Sequence, residues 1–79
     1  MLTQLEHSDK VVGVKQVRRA LQDSRAKALF LARDADPNLT HPLAQMAQEK
    51  GISVTWMECM RDLGRACGIA VGAAVAAAI

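Results

Sequence analysis

The chain has 79 residues, with ten Lys and Arg against eight Asp and Glu, 51% hydrophobic residues and 23% charged residues. A chain of this length forms one domain and buries only about 60% of the surface that its unfolded form exposes, which excludes a deep, enclosed cofactor pocket. The composition lies close to the globular average and excludes intrinsic disorder.

The net charge of +2 is unevenly distributed. Between Lys10 and Lys27, six basic residues stand against one acidic residue, a balance of +5, whereas the rest of the chain has four basic and seven acidic residues, a balance of −3. A domain with one basic end is typical of proteins that bind anions or nucleic acids. A solvated surface helix would give the same pattern, so charge alone leaves both interpretations open.

The first predicted elements alternate between helix and strand, because short apolar runs alternate with helical spacing. A short N-terminal helix containing Leu2 and Leu5 is expected to end near Ser8, and a strand follows over Val11–Val14. A helix then begins at Lys15. Its buried side is predicted to contain Val17, Ala20, Leu21 and Ser24, and its exposed side Lys15, Arg18, Arg19 and Gln22.

The middle of the chain predicts a buried strand and a second helix. Ala28–Ala32 is an uninterrupted apolar run, and it is followed at residues 33–38 by residue types that are common in turns. Thr40 is the expected N-cap of the following helix, with Pro42 in its first turn and Gly51 as the left-handed residue that ends it. The expected inner face of this helix is Leu43, Met46 and Ala47.

The last third predicts a strand over Ile52–Met57, a helix over Cys59–Ala66 closed by Gly68, and a final buried strand over Ile69–Ile79. Gly64 lowers the helix propensity by about 1 kcal/mol relative to Ala and therefore needs a structural reason. The alternation of helices and strands predicts an α/β/α sandwich around a sheet of about four strands.

The sequence contains no recognisable catalytic, metal or cofactor motif. Cys59 and Cys67 would lie about 12 Å apart on one helix, beyond disulfide reach, and with His7 and His41 they do not form a zinc spacing. No phosphate-binding glycine loop or catalytic triad occurs, and Asp34 and Asp36 lie in a turn where Asp commonly makes local hydrogen bonds. These observations favour a non-catalytic protein.

Localisation follows from the cysteines and from the hydrophobic runs. Two cysteines do not make the framework of a small secreted scaffold, and no secretory signal pattern opens the sequence, so we expect a cytoplasmic protein. The longest uncharged apolar run, Gly68–Ile79, has twelve residues, whereas a membrane-spanning helix needs about 20. No membrane association is therefore expected.

The most informative stretch is Gly13–Arg19, where a predicted strand ends at a glycine and a basic helix begins. The free N–H groups and the positive dipole end of such a helix attract phosphate. Lys15 and Arg19 share one helix face, and Gln16 can both donate to and accept from a base edge. An ordinary helix start with solvated basic residues would carry the same signal.

Four segments together resemble the kink-turn RNA-binding superfamily of ribosomal proteins L-seven-Ae and L-thirty-e, most closely its small bacterial YbxF-like members. The segments are Gly13–Leu21 (GVKQVRRAL), Leu31–Pro37 (LARDADP), Gly51–Val54 (GISV) and Leu63–Ala74 (LGRACGIAVGAA). The match runs from Val11 to Ile79. It implies an α/β/α sandwich with a mixed four-stranded sheet, in agreement with the prediction from periodicity.

The resemblance also implies a set of RNA-binding residues. In the family, a glycine-led helix start reads sheared G·A pairs at a sharp RNA bend through a glycine, a small residue, Asn, Glu and, after two variable residues, Lys. The corresponding positions here are Gly13, Val14, Lys15, Gln16 and Arg19. Lys15 replaces Asn and loses an acceptor, whereas Gln16 replaces Glu and keeps one, as in the bacterial subgroup.

A second implied contact surface is the loop between the third strand and the last helix, which in the family covers a flipped-out nucleotide. It corresponds to Met57, Glu58, Cys59 and Met60, flanked by Gly64, whose missing side chain would permit close approach. Many relatives carry a basic residue where this chain has Glu58.

By similar mapping, Asp36 and Lys50 are expected to line the pocket of the flipped-out nucleotide.

These features predict a non-catalytic, monomeric protein, with no cofactor, that binds kink-turns in structured RNA, with the ribosome as a further candidate partner. An ordinary A-form major groove is too deep and narrow for side chains to read, and a kink-turn supplies a distorted site. Two alternatives stay open. One is a protein-interaction adaptor on the same fold, and the other is a thiol enzyme using Cys59 beside Arg61.

Overall fold

The computed structural model describes residues 9–79, so the predicted N-terminal helix lies outside the described residues. In chain order the elements are β1 (Lys10–Val12), α1 (Val14–Gln22), β2 (Ala28–Ala32), α2 (Pro37–Glu49), β3 (Ser53–Met57), α3 (Met60–Ala66) and β4 (Val75–Ala78). No helix within residues 9–79 combines the length and the hydrophobicity needed to cross a membrane.

The four strands form one mixed sheet in the order β1-β4-β2-β3. β4 lies antiparallel to both β1 and β2, and β2 pairs in parallel with β3. The parallel pair is connected by α2, the crossover helix that such a pair requires. The predicted four-stranded mixed sheet is confirmed.

The helices cover both faces of the sheet. On one face, α1 and α2 pack Val17, Leu21 and Leu43 against Leu29 and Leu31 of β2. On the other face, Leu63 and Ala66 of α3 pack against Phe30 of β2 and Ala76 of β4. β2 is buried at all five positions, as its apolar run predicts, and the α/β/α sandwich is confirmed.

β1 and α1 differ from the prediction in their boundary. β1 ends at Val12, and Gly13 is the N-cap of a helix that begins at Val14 rather than at Lys15. The positive φ of 110° at Gly13 ends the strand at Val12, two residues earlier than the predicted end at Val14. Ser24, expected on the buried helix face, instead lies after the helix and is exposed.

The predicted N-cap of α2 is wrong. Asp36 caps the helix, because its Oδ1 accepts a hydrogen bond from the Asn38 backbone N–H at 2.9 Å. Thr40 lies inside the helix and is buried, and Pro42 is also inside it rather than in the first turn. Asp36 followed by Pro37 is a helix-start signal as strong as Thr40, because Asp is a preferred N-cap residue and Pro is preferred at the first helical position. Gly51 follows the C-cap with φ 72°, as predicted.

The predicted strand over Ile69–Ile79 is also wrong in its first half. Only Val75–Ala78 is strand, and residues 67–74 form a loop, here called the α3–β4 loop. Val71 is 70% exposed and Ile69 is 37% exposed, so this half of the apolar run does not belong to the core. Gly68, with φ 77°, and Gly72 bracket the exposed residues.

Candidate nucleic-acid interface

One end of the sheet brings together the loops that carry most of the predicted RNA-binding residues. The carboxyl ends of β1, β2 and β3 and the amino end of β4 all meet there, since Val12 pairs with Ala76 and Ala32 pairs with Met57. We call this end the rim. It consists of the start of α1, the β2–α2 turn (Arg33–Asp36), the β3–α3 loop (Glu58–Cys59) and the α3–β4 loop.

Backbone hydrogen bonds hold these segments together. The Gly13 N–H donates to the Val75 carbonyl oxygen at 3.2 Å, which joins the start of α1 to the first residue of β4, directly after the α3–β4 loop. The Arg33 N–H donates to the Met57 carbonyl oxygen at 2.9 Å. The Ala73 N–H donates to the Met60 carbonyl oxygen at 3.0 Å, which joins the α3–β4 loop to α3. The rim is therefore one connected surface.

The start of α1 is uncapped by side chains and contains no acidic residue in its first turn. Within residues 9–79, no side chain caps the first N–H groups of α1 and no carboxylate in its first turn offsets the positive end of its dipole. Lys15, Gln16 and Arg19 are exposed here, whereas Val14 is half-buried against the core. The basic residue in the last turn is Arg19.

Gln16 lies over Gly13. A Cβ added to Gly13 would lie 2.7 Å from Gln16 Oε1, closer than real Cβ atoms approach an oxygen. The missing side chain thus leaves room for the Gln16 carboxamide as well as permitting the positive φ. This intramolecular role is separate from the close approach to RNA that the sequence predicts for Gly13.

The β2–α2 turn and the β3–α3 loop are tied to each other by side chains. Asp34 Oδ1 accepts a hydrogen bond from the Met60 N–H at 2.8 Å and so caps α3 from a distance of 26 residues in sequence. The Arg33 Nε lies 3.5 Å from Glu58 Oε1, although both side chains are largely exposed, so this ion pair adds little stability. The capping role of Asp34 was not predicted, since its partner is remote in sequence.

The four residues of the predicted second contact surface differ in exposure. Glu58 is exposed, Met60 is 37% exposed, and Met57 and Cys59 are half-buried. Met57 packs against the core below α3. Met60 and Cys59 line an open cleft together with Arg61, Arg65 and the apolar residues of the α3–β4 loop. The sequence prediction missed that loop because it assigned Ile69–Ala74 to a strand. The glycines Gly68 and Gly72 were the feature of the sequence that could have indicated a loop.

Gly64 is buried and faces the α3–β4 loop rather than solvent. A Cβ at this position would overlap the Val71 carbonyl oxygen and crowd Gly72. The Ile69 N–H donates to the Gly64 carbonyl oxygen at 3.0 Å. Gly64 therefore permits a close approach, but the approaching group is the backbone of the same chain, whereas the sequence predicted the approach of a nucleotide.

Asp36 and Lys50 do not lie together. Asp36 precedes α2 at the rim, whereas Lys50 follows α2 at the opposite end of the sheet, about 20 Å away along the helix. Lys50 Nζ lies 3.5 Å from Ser24 Oγ, beside the end of α1. One nucleotide pocket cannot be lined by both residues.

The two thiols differ in their surroundings: Cys67 is buried, whereas Cys59 is half-buried at the N-cap of α3 and lines the same cleft as Arg61 and Arg65. Both are free, as the spacing predicts. Burial raises the pKa of the Cys67 thiol, and the positive charge of Lys10 offsets this only in part. None of the side-chain hydrogen bonds among residues 9–79 involves Cys59. Within the same range, no three His, Cys, Asp or Glu residues cluster as metal ligands do.

Comparison with known proteins gives a consistent family match. Residues 2–79 match the Ribosomal protein L7Ae/L30e/S12e/Gadd45 family. An RNA-binding protein from Bacillus pumilus is 45% identical over 67 residues, which cover 85% of this chain and 82% of the relative. The RNA-binding protein YbxF from Geobacillus stearothermophilus is 40% identical over 67 residues, with the same coverage of 85% and 82%.

The fold has a close match among solved structures. The Giardia lamblia 15.5kD RNA binding protein superposes with a TM-score of 0.88 at 24% identity, and the match covers 98% of this chain and 68% of that protein. At this identity the match concerns the fold alone.

Proposed function

The chain belongs to the ribosomal protein L7Ae/L30e/S12e/Gadd45 family, and from this premise we propose that it is a non-catalytic RNA-binding protein that recognises kink-turns in structured RNA. It acts as a cytoplasmic monomer on ribosomal or riboswitch-type RNA. The observation that carries the proposal is the start of α1, which no side chain among residues 9–79 caps. Gly13, Lys15 and Gln16 stand there at the family's RNA-reading positions on the rim, and Arg19 follows about one helical turn further along the same face as Lys15.

The chemistry of this helix start suits a bent RNA. A kink brings two phosphate backbones together, and the helix dipole with Lys15 and Arg19 lowers their repulsion. Gln16 presents a donor and an acceptor, which is what an exposed base edge at a G·A pair requires. Binding then selects the kinked form from the RNA's open ensemble.

The β3–α3 loop provides the second contact in this proposal. Cys59 and Met60 line the open cleft beside the α3–β4 loop, Glu58 precedes them as an exposed residue, and Met57 packs against the core at the end of β3. Partly exposed apolar side chains suit an unstacked base, since its faces are apolar and its edges polar. Asp36 at the rim is the proposed polar partner for such a base.

Gly64 contributes indirectly, because it lets the α3–β4 loop lie against α3.

The test is a titration with a kink-turn RNA and with a straight duplex of the same length and base composition, each at two salt concentrations. We expect the kink-turn to bind more tightly by at least about tenfold, which is about 1.4 kcal/mol. Equal affinity for the two RNAs, or no binding to either, would refute the proposal.

A protein-interaction adaptor is the second candidate, and one observation favours it. Val71 and Ile69 expose apolar surface at the rim, as interaction sites often do. The same titration separates the two functions, because an adaptor has no reason to prefer a bent RNA. The thiol enzyme is not supported, since Cys67 is buried and Cys59 has no acid or base partner among the described side chains.

A further inference from the structure

The outer face of α1 is basic well beyond the first helical turn. Lys15, Arg18 and Arg19 are exposed on this nine-residue helix, and α1 contains no acidic residue. The ion pairs among residues 9–79 join Arg25 with Asp23 and Arg33 with Glu58, so no described carboxylate neutralises these three cations. One shallow groove is lined by Lys15, Gln16, Arg18, Arg19 and Gln22.

This basic face leads away from the rim. Lys15 and Arg19 form one row along the helix and Arg18 and Gln22 form a second, because residues four apart share a face. From Lys15 to Gln22 the helix rises about 10 Å. α1 begins at the rim beside Val75 and ends near the start of β2, at the opposite end of the sheet.

Lys50 continues the basic surface at that opposite end. α1 and α2 lie side by side on the same face of the sheet, and the Lys50 Nζ is 3.5 Å from Ser24 Oγ, just past the end of α1. The acids there are Asp23, whose Oδ2 lies 3.7 Å from Arg25 Nε, and Glu49, which precedes Lys50 in the chain. We call Arg18, Gln22 and Lys50 the α1 track.

We propose that the α1 track binds the phosphate backbone of one duplex arm of the same RNA whose bend lies at the rim. This inference rests on the proposed function and extends it to the helical part of the RNA. Long cationic side chains on a helix face cannot read the narrow A-form major groove, but they can contact its phosphates without regard to sequence. A duplex arm that leaves the bend in the direction of α1 passes next over the α1 track.

The test uses three kink-turn RNAs: one with two short arms and two in which one arm or the other is extended. For the unmodified protein, extending one particular arm tightens binding and steepens the dependence of log K on log salt. For the double variant Arg18→Gln and Lys50→Gln, that gain disappears and the slope is flatter by about 1.8, which is about 0.9 for each lost phosphate contact. Its affinity for the short-armed RNA stays within about twofold of the unmodified protein, or about 0.4 kcal/mol.

The matched control is Lys10→Gln with Lys27→Gln, which removes the same charge from the end of the sheet opposite the rim, outside both the α1 track and the cleft beside α3. This control keeps the gain from the extended arm. The inference is overturned if neither extended arm binds more tightly than the short-armed RNA, or if the control loses the gain as fully as the track variant. Failure of the proposed function is distinguishable, because then even the short-armed kink-turn binds no better than a straight duplex.

Discussion

At the residue scale, the backbone conformation of Gly13 is what requires glycine. Its φ of 110° is strained for any residue with a side chain, and its missing Cβ also leaves room for the present position of Gln16 Oε1. The sequence could place this glycine between a strand and a basic helix. It could not show that Gln16 folds back over it, since that contact depends on a side-chain conformation.

Gly13→Ala is expected to lower stability by about 1 to 3 kcal/mol, as a non-glycine residue at positive φ does, and also to weaken kink-turn binding. The affinity loss arises because the new Cβ displaces Gln16 from its present position. Thermal unfolding and RNA titration of the same sample measure the two effects. Gly51→Ala is the matched control, since Gly51 has φ 72°, has open space around its Cβ position and lies away from the rim. An equal loss of affinity in both variants would show that strain alone weakens binding.

Substitutions of Lys15 and of Arg19 should differ in how they change the salt dependence of RNA affinity. If Arg19 meets phosphate, Arg19→Ala flattens the dependence of log K on log salt by about 0.7 to 0.9. If Lys15 meets base edges, Lys15→Ala costs about 1 to 3 kcal/mol and weakens the preference for G·A pairs. Titrations at several salt concentrations, with intact and substituted G·A pairs, measure both. Equal losses of affinity in the two variants, independent of the RNA sequence, would show that this helix face is a non-specific basic surface.

At the scale of helices and strands, the sequence predicted the elements that follow from neighbouring residues in the chain. It missed the features that depend on contacts between residues remote in sequence. Both ends of β2 were predicted correctly, because the strand coincides with an uninterrupted run of five apolar residues, and all five are buried. The cap of α3 was missed because Asp34 comes from another loop. The α3–β4 loop was missed because apolar residues normally indicate burial, whereas Val71 is held outward by the approach of its own backbone to Gly64.

Gly64→Ala is therefore expected to shift the α3–β4 loop. The added Cβ overlaps the Val71 carbonyl oxygen, so either α3 or the loop must move, at a cost of about 1 to 3 kcal/mol as in other overpacked sites. Chemical denaturation measures the loss, and amide chemical shifts locate the change. Shifts concentrated at residues 69–74 are expected; a variant as stable as the unmodified protein, with an unchanged loop, would contradict this explanation of Gly64.

At the scale of the whole molecule, the sheet topology brings together the segments of the proposed RNA interface. The order β1-β4-β2-β3 brings the ends of three strands and the start of the fourth to one rim, so that residues remote in sequence become neighbours, such as Gly13 and Val75, which are 62 positions apart. The resemblance predicted most of these residues without showing their arrangement. It also grouped Lys50 with Asp36, which α2 holds apart at its two ends.

The most direct test of kink-turn recognition is whether the protein bends RNA. A kink-turn RNA carrying a fluorescence donor on one arm and an acceptor on the other is titrated with the protein at low divalent cation concentration, where the free RNA is largely open. If the protein selects the kinked form, energy transfer rises to a plateau at one protein per RNA, and the rise is lost when the G·A pairs are replaced by Watson–Crick pairs. Binding that saturates without any rise in energy transfer would show that the protein does not recognise the kink.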